Sequence, residues 1–334
     1  SVFINDATIA VSNGAGGITI TGGENVAGDG VHIDALGAAT TISTVSGDIT
    51  INGSEDTGSR SLLIGGANGV TINSGGAVTL NGADDAGVSS LEIRSGTNVT
   101  AGGDIAMTGG DNATNFSVDI RDSNLSGGSA IVTGGVAGTA TNDPSLRVSN
   151  ASIVTTGDIS LIGGVNSISS SLNLVNGTNV TSTAGNLTLT GGDNPVATSV
   201  FIAHGSQAHA HGALSVTGGA GADNHFSVHI KDASSLTSNG SITIIGQATD
   251  TPGRDSVFFA SGSADAKGGD LTIEAPSFDL SGATLAAAGT VRLEKTGGSA
   301  FTLGTPAGDL DAAELSAALA AANMAEVKMA VAPE

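Results

Sequence analysis

A unit of 26 to 31 residues, recurring from the first residue almost to the last, constrains this chain more than any other feature. Aligned on the pattern Ser, apolar, any residue, apolar, the repeats start at Ser1, Gly30, Ser61, Ser90, Ser117, Ser145, Ser171, Ser199, Ser227 and Ser256. A period of this size marks a solenoid, in which each unit buries its apolar face only against its neighbours. One elongated domain therefore accounts for the 334 residues better than two globular ones.

Inside each unit the apolar residues alternate, as half-buried strands require. The first strand carries Val2 and Ile4 in the first repeat, Val31 and Ile33 in the second, and Val257 and Phe259 in the tenth. A lone apolar residue eight or nine positions after the start, such as Ile9, Val70, Val99 or Leu125, marks a short second strand. The third strand is the strongest, with Ile18 and Ile20, Ile49 and Ile51, or Leu187 and Leu189, and it usually closes in a glycine pair such as Gly109-Gly110 or Gly191-Gly192. Three strands per turn with glycine-permitted corners predict an all-β, right-handed parallel β-helix over residues 1–304, of 11 to 12 coils of 21 to 31 residues each.

After Ser256 the register tightens. Residues 277–298 repeat every offset without the loop that follows the glycine pair elsewhere, and Phe301 and Leu303 begin a further coil. That loop is thus an optional insertion along one edge, and it carries Glu24, Asp84, Asp85, Asp111, Asp193 and Asp223. Residues 305–334 change character: in 309–327, Asp311 and Glu314 resemble a capping box, while Leu315, Ala318, Leu319 and Ala322 keep helical spacing. A short helix is expected there, covering the last coil or joining it to a following segment. The first coil starts directly in a strand. Val2 and Ile4 at one end, with Leu315 and Leu319 at the other, are therefore the expected edges for self-association or for neighbouring subunits.

The charge of −21, from 31 acids against 10 bases, opposes nucleic acid and anionic lipid as partners, since both need a basic surface. No apolar run reaches the ~20 residues of a membrane span. Cysteine is absent, so thiolate metal sites are excluded. Ser1 is not an initiator methionine, and the chain is expected to be a processed product or a piece of a longer one.

Five of the six histidines cluster at His204, His209, His211, His225 and His229. His209 and His211, two apart in a strand, share a face and are candidate zinc or nickel ligands, with a polar outer face as the plainer reading. The acidic loops, Asp111 and Asp193 among them, offer calcium the hard oxygen ligands it takes; solvated loop charge explains them as simply. For catalysis a glycosidase needs paired carboxylates and sugar sites usually add aromatic platforms, yet the chain has no Trp, no Tyr and eight Phe. Glu92, Asp119 and Arg147 stand at equivalent outward positions of successive coils, with Arg94 and Arg121 beside them, and read as a surface ion-pair stack. No nucleophile elbow or phosphate loop occurs, so an enzyme is not expected. Sequons such as Asn98 and Asn124 follow from composition.

Coils such as SGTNVTAGGDIAMTGG (95–110) and AGNLTLTGG (184–192) resemble those of filamentous haemagglutinin and related two-partner secretion exoproteins of Gram-negative bacteria. The likeness runs over essentially the whole chain and extends to FTLGTPAGDLDAAELSAAL at 301–319. The family's amino-terminal secretion domain, with its NPNG-type motif, is not found, and the coils are longer than usual. The resemblance implies a secreted or cell-surface bacterial rod acting in adhesion, biofilm or matrix, which engages host or cell-surface glycan or protein or stacks into fibres. A carbohydrate-binding or polysaccharide-degrading β-helix is the alternative, on analogy of fold.

Overall fold

The computed structural model describes residues 1–24, 27–55, 57–136, 143–165, 169–193, 197–220, 226–248, 255–296 and 326–331. The chain is a parallel β-solenoid of three sheets, with eleven strands in sheet A, eleven in sheet B and twelve in sheet C. The first coil comprises Val2–Asn5 in sheet A, Thr8–Val11 in sheet B and Ile18–Thr21 in sheet C. The eleventh comprises Phe278–Asp279, Ala283–Ala287 and Thr290–Lys295. Every coil pairs in parallel with the next and in the expected register, Val2 to Val31 and Ile18 to Ile49 for example.

Inward side chains form ladders along the axis. Val31, Leu62, Leu91, Val118 and Leu146 are fully buried at one position of sheet A, and Ile49, Val78, Leu187 and Leu214 are buried at one position of sheet C. At the start of the chain the same positions are less covered: Val2, Ile4, Ile9 and Val11 are only part-buried against the core. Sheet B corrects one expectation. Its apolar ladder runs Ile42, Ile72, Val99, and Val70 stands two residues earlier, opposite Thr40, because the second and third coils carry longer A-to-B corners.

In six of the ten repeats the opening serine and the residues that close the neighbouring third strands are one device; Gly30 has no hydroxyl, and that of Ser256 is buried without a partner. The Ser117 hydroxyl donates to the Gly110 carbonyl at 2.8 Å and accepts from the Gly135 amide of the next coil at 2.6 Å. Ser90, Ser145, Ser171, Ser199 and Ser227 make the same two bonds in their own coils. A Cβ on Gly109 would fall on the Ser117 hydroxyl, and one on Gly135 would fall on the Gly110 carbonyl, so each glycine leaves room for a neighbouring coil. The pattern Ser, apolar, any residue, apolar therefore records a hydrogen-bonded spine as well as a strand start.

Three corners between sheets A and B turn through one residue in the left-handed region, Asp6, Asp122 and Asn150 with φ of 48° to 51°, and four turn through two in succession, such as Asn176 and Gly177; Asn and Asp tolerate that conformation better than most residues. The expected helix over 309–327 falls mainly outside the described residues, as do Leu315 and Leu319. Its last two residues are not helical: Glu326–Val331 is a strand that pairs with Thr290–Lys295 and adds a twelfth member to sheet C. No helix occurs among the described residues.

Candidate functional site: the covered face of sheet A

A strand with one solvated face alternates in burial, but Leu62–Ile64 and Leu91–Ile93 are buried at every position. The loops at 57–60, 83–89 and 110–116 produce this. Instead of standing off along an edge, they fold across the outer face of sheet A and bond to one another from coil to coil, Gly87 N–H to Thr57 C=O and Thr114 N–H to Ala86 C=O. Ala86, Ala113 and Phe116 in these loops are buried, as is the outward-pointing Leu63 beneath them.

The outward positions of sheet A line up as Phe3, His32, Leu63, Glu92, Asp119, Arg147, Asn173, Phe201, His229 and Phe258, with Leu63, Glu92 and Asp119 fully under this cover. The expected ion-pair stack is present but is not superficial: the Glu92 and Asp119 side chains are only 3% and 1% exposed. Glu92 accepts from Arg60, Arg121 and Arg94, the last at 3.1 Å. Arg147 meets Asp119 through two N–H groups, each at 2.8 Å, and its guanidinium lies 3.9 Å from the Phe116 ring centroid. Sequence reasoning missed Arg60, which enters from the residue before Ser61; the loop's fold over the strand was the information lacking.

The two carboxyls respond differently. Burial raises the pKa of Glu92, but the Arg60 hydrogen bond and the charges of Arg60, Arg121 and Arg94 outweigh it, and the group sits below its ordinary value. Asp119 is more deeply enclosed; burial prevails over Arg147 and Arg121, with Glu92 adding to the upward shift. Both carboxylates are saturated by guanidiniums, an arrangement that pins loop to sheet and leaves neither disposed to activate a water.

Further along, His229 packs against Phe201, Phe226 and Phe258 with ring centroids 4.8 to 5.3 Å apart. Burial first, then the charge of Lys231, lowers its pKa to about 4, against a smaller opposing pull from Asp232. Its Nε2 and the Asn173 Oδ1 are buried without a hydrogen-bond partner. Five of the eight phenylalanines thus lie on or over this face: Phe3 is exposed at its start, while Phe116, Phe201, Phe226 and Phe258 pack in satellite clusters outside the main core.

The metal candidates do not converge. His209 is outward in the strand Gln207–Ala210 and bonds Thr237 at 2.8 Å, and His211, just past its end, bonds Asn239 at 3.2 Å. Burial, with the charges of Lys267 and His211, lowers the pKa of His209. His204, at a corner, lies 3.3 Å from Asp232, and His225 falls outside the described residues. Asp111 and Asp193 stand in different loops, where each accepts the amide of the next coil, from Val136 at 2.7 Å and Ala220 at 2.9 Å. Among the described residues, no group of three or more His, Asp or Glu stands together as a metal site. A shallow depression of about 370 Å³ at the B–C corner of the first three coils is lined by Val11, Ser43, Val45 and Asn73 among others, none of them titratable.

Compared with known protein families, characterised proteins and solved structures, the chain matches none. What sequence and structure establish together is a parallel β-solenoid repeat protein.

Proposed function

We propose that this chain is a non-enzymatic structural or adhesive rod of a bacterial cell surface or extracellular matrix, of the filamentous-haemagglutinin kind. The observation that carries the reading is its construction for length: eleven coils in unbroken register, with Thr, Ser and Asn ladders on the outer faces of sheets B and C. The saturation of Glu92 and Asp119 by arginine supports a scaffold over a glycosidase. Stacking of such rods end to end would be a non-closing contact and would give a fibre.

The test is surface binding. Labelled chain applied to bacterial cells, host cells and matrix-coated wells is expected to coat at least one of them saturably, while a panel of acidic and neutral polysaccharides stays intact. Failure to coat any surface, or depolymerisation of a glycan that Asp119→Asn abolishes, would overturn the proposal.

A further inference from the structure

Loops roof part of sheet A, but among the described residues no loop covers sheet C, where Ile131 is exposed. Over its first nine strands, from Ile18–Thr21 to Ile242–Ile245, the outward positions hold no Asp, Glu, Lys or Arg, in a chain whose formal charge is −21. Two ranks run along this face. One is Thr19, Thr50, Thr79, Ala106, Ile131, Ser160, Thr188, Ser215 and Thr243, and the other lies two residues further along each strand. Ile131 is 54% exposed and sits on the fifth of these nine strands, the midpoint of the uncharged stretch, with Ile162 on the next. Charge returns on the tenth and eleventh strands, at Glu274, Arg292 and Glu294.

We infer that the outer face of sheet C is a self-association surface on which two copies of the chain pack side by side, antiparallel, about a two-fold axis near the fifth coil. Ile131 of one copy then meets Ile131 of the other at the centre, with Ala106, Thr108, Thr133, Ser160 and Ile162 around it. An apolar centre inside a polar, uncharged rim is the anatomy of a protein interface. Hydroxyl ranks are self-complementary, because each hydroxyl both donates and accepts.

A second copy fits this face by its area. Two rods of charge −21 repel, and although these nine strands carry no charge, Asp48, Asp104 and Asp158 directly precede three of them, so the contact is opposed at low salt. Nine strands spaced ~4.8 Å apart, each about 13 Å wide, give a patch of roughly 500 Å² per copy. The pair would bury about 1,000 Å², the lower bound for a specific interface, so the association is weak and concentration-dependent. Sheet B makes a poorer surface, since its outer ranks include His209 and Asp265 and its fifth strand presents Asn124 and Ser126. A two-fold contact closes on itself, so this pairing is separate from end-to-end stacking and stands whether or not the adhesive reading holds.

Sedimentation velocity of the intact chain tests the inference. Dimer is expected to grow with concentration and with added salt, which screens the net charge. Ile131→Glu brings two like charges together at the axis and is expected to weaken association about tenfold or more. Asn124→Glu, on sheet B of the same coil, adds the same charge elsewhere and leaves association unchanged. Circular dichroism of both variants checks that the fold survives. Because the chain has no cysteine, Ile131→Cys is expected to be joined into a dimer by a short bis-maleimide, which adds to one thiol on each copy, and Asn124→Cys to stay monomeric. A chain monomeric at every concentration and salt, or equal loss from the two glutamate variants, overturns the inference. So does a monomer whose Ile131→Glu variant loses only surface coating, since the face would then serve another partner.

Discussion

Replacing Ser117 by Ala tests the spine that sets the register of the solenoid. The hydroxyl is fully buried, donates to Gly110 C=O at 2.8 Å and accepts from Gly135 N–H at 2.6 Å. Alanine leaves one acceptor and one donor without partners, each worth about 1 to 3 kcal/mol when buried. Gly110 is buried and Gly135 half-buried, so water reaches the second group in part, and the expected loss is about 2 to 4 kcal/mol. Ser126→Ala is the matched control: its hydroxyl is exposed and bonds only Thr100, at 3.3 Å, so the expected loss is below about 0.5 kcal/mol. The chain has no Trp or Tyr, so urea unfolding is followed by circular dichroism, with amide exchange at Gly110 and Gly135 to localise the effect. Repeat arrays do not always unfold as one unit, which makes the local exchange the decisive readout. Equal stability of the two variants, or unchanged protection at Gly135, would refute the spine as a source of register.

Gly109→Ala is expected to destabilise more than Ser117→Ala, because the added Cβ meets both the Ser117 hydroxyl and its backbone; comparison of urea midpoints checks the order. Glu92→Gln strips the common partner from Arg60, Arg94 and Arg121 and is expected to cost about 3 kcal/mol, measured by urea unfolding at neutral pH, with no change for an exposed acid such as Asp84→Asn. His229 gives a pH dependence of defined sign. Its folded pKa of about 4 lies below the ordinary 6.5, so the unfolded chain takes up the proton first, and stability falls as pH drops from about 6.5 to 4. The full shift corresponds to about 3 kcal/mol, reduced to about 1 to 2 by the ring's partial exposure. Subtracting the His229→Phe melting profile from that of the parent should leave a step in this window, and a flat difference would show that the ring titrates normally.

The solenoid was legible because its determinants are local and repeated. Each coil spells out the same inward alternation, and in six of them the opening serine bonds one coil to the next. The loop roof was not legible, because its polar composition resembles that of a solvated loop and its contacts depend on how far each loop bends back over sheet A. Two clues pointed to it. Leu63 breaks the alternation in Leu62-Leu63-Ile64, and Phe116 is a large apolar residue in a loop. Without the roof, Glu92, Asp119 and Arg147 read as exposed; with it they become a buried clamp. The identity of Arg60 as its fourth guanidinium follows only from the fold, since it lies 32 residues from Glu92.

Electron microscopy of the chain recovered from a bacterial surface without refolding tests the central claim most directly. Eleven strands at ~4.8 Å make a rod about 50 Å long. The account predicts such rods outside the cell, joined end to end into filaments or coating the surface. Compact particles in place of rods, or a chain found only inside the cell, would contradict it.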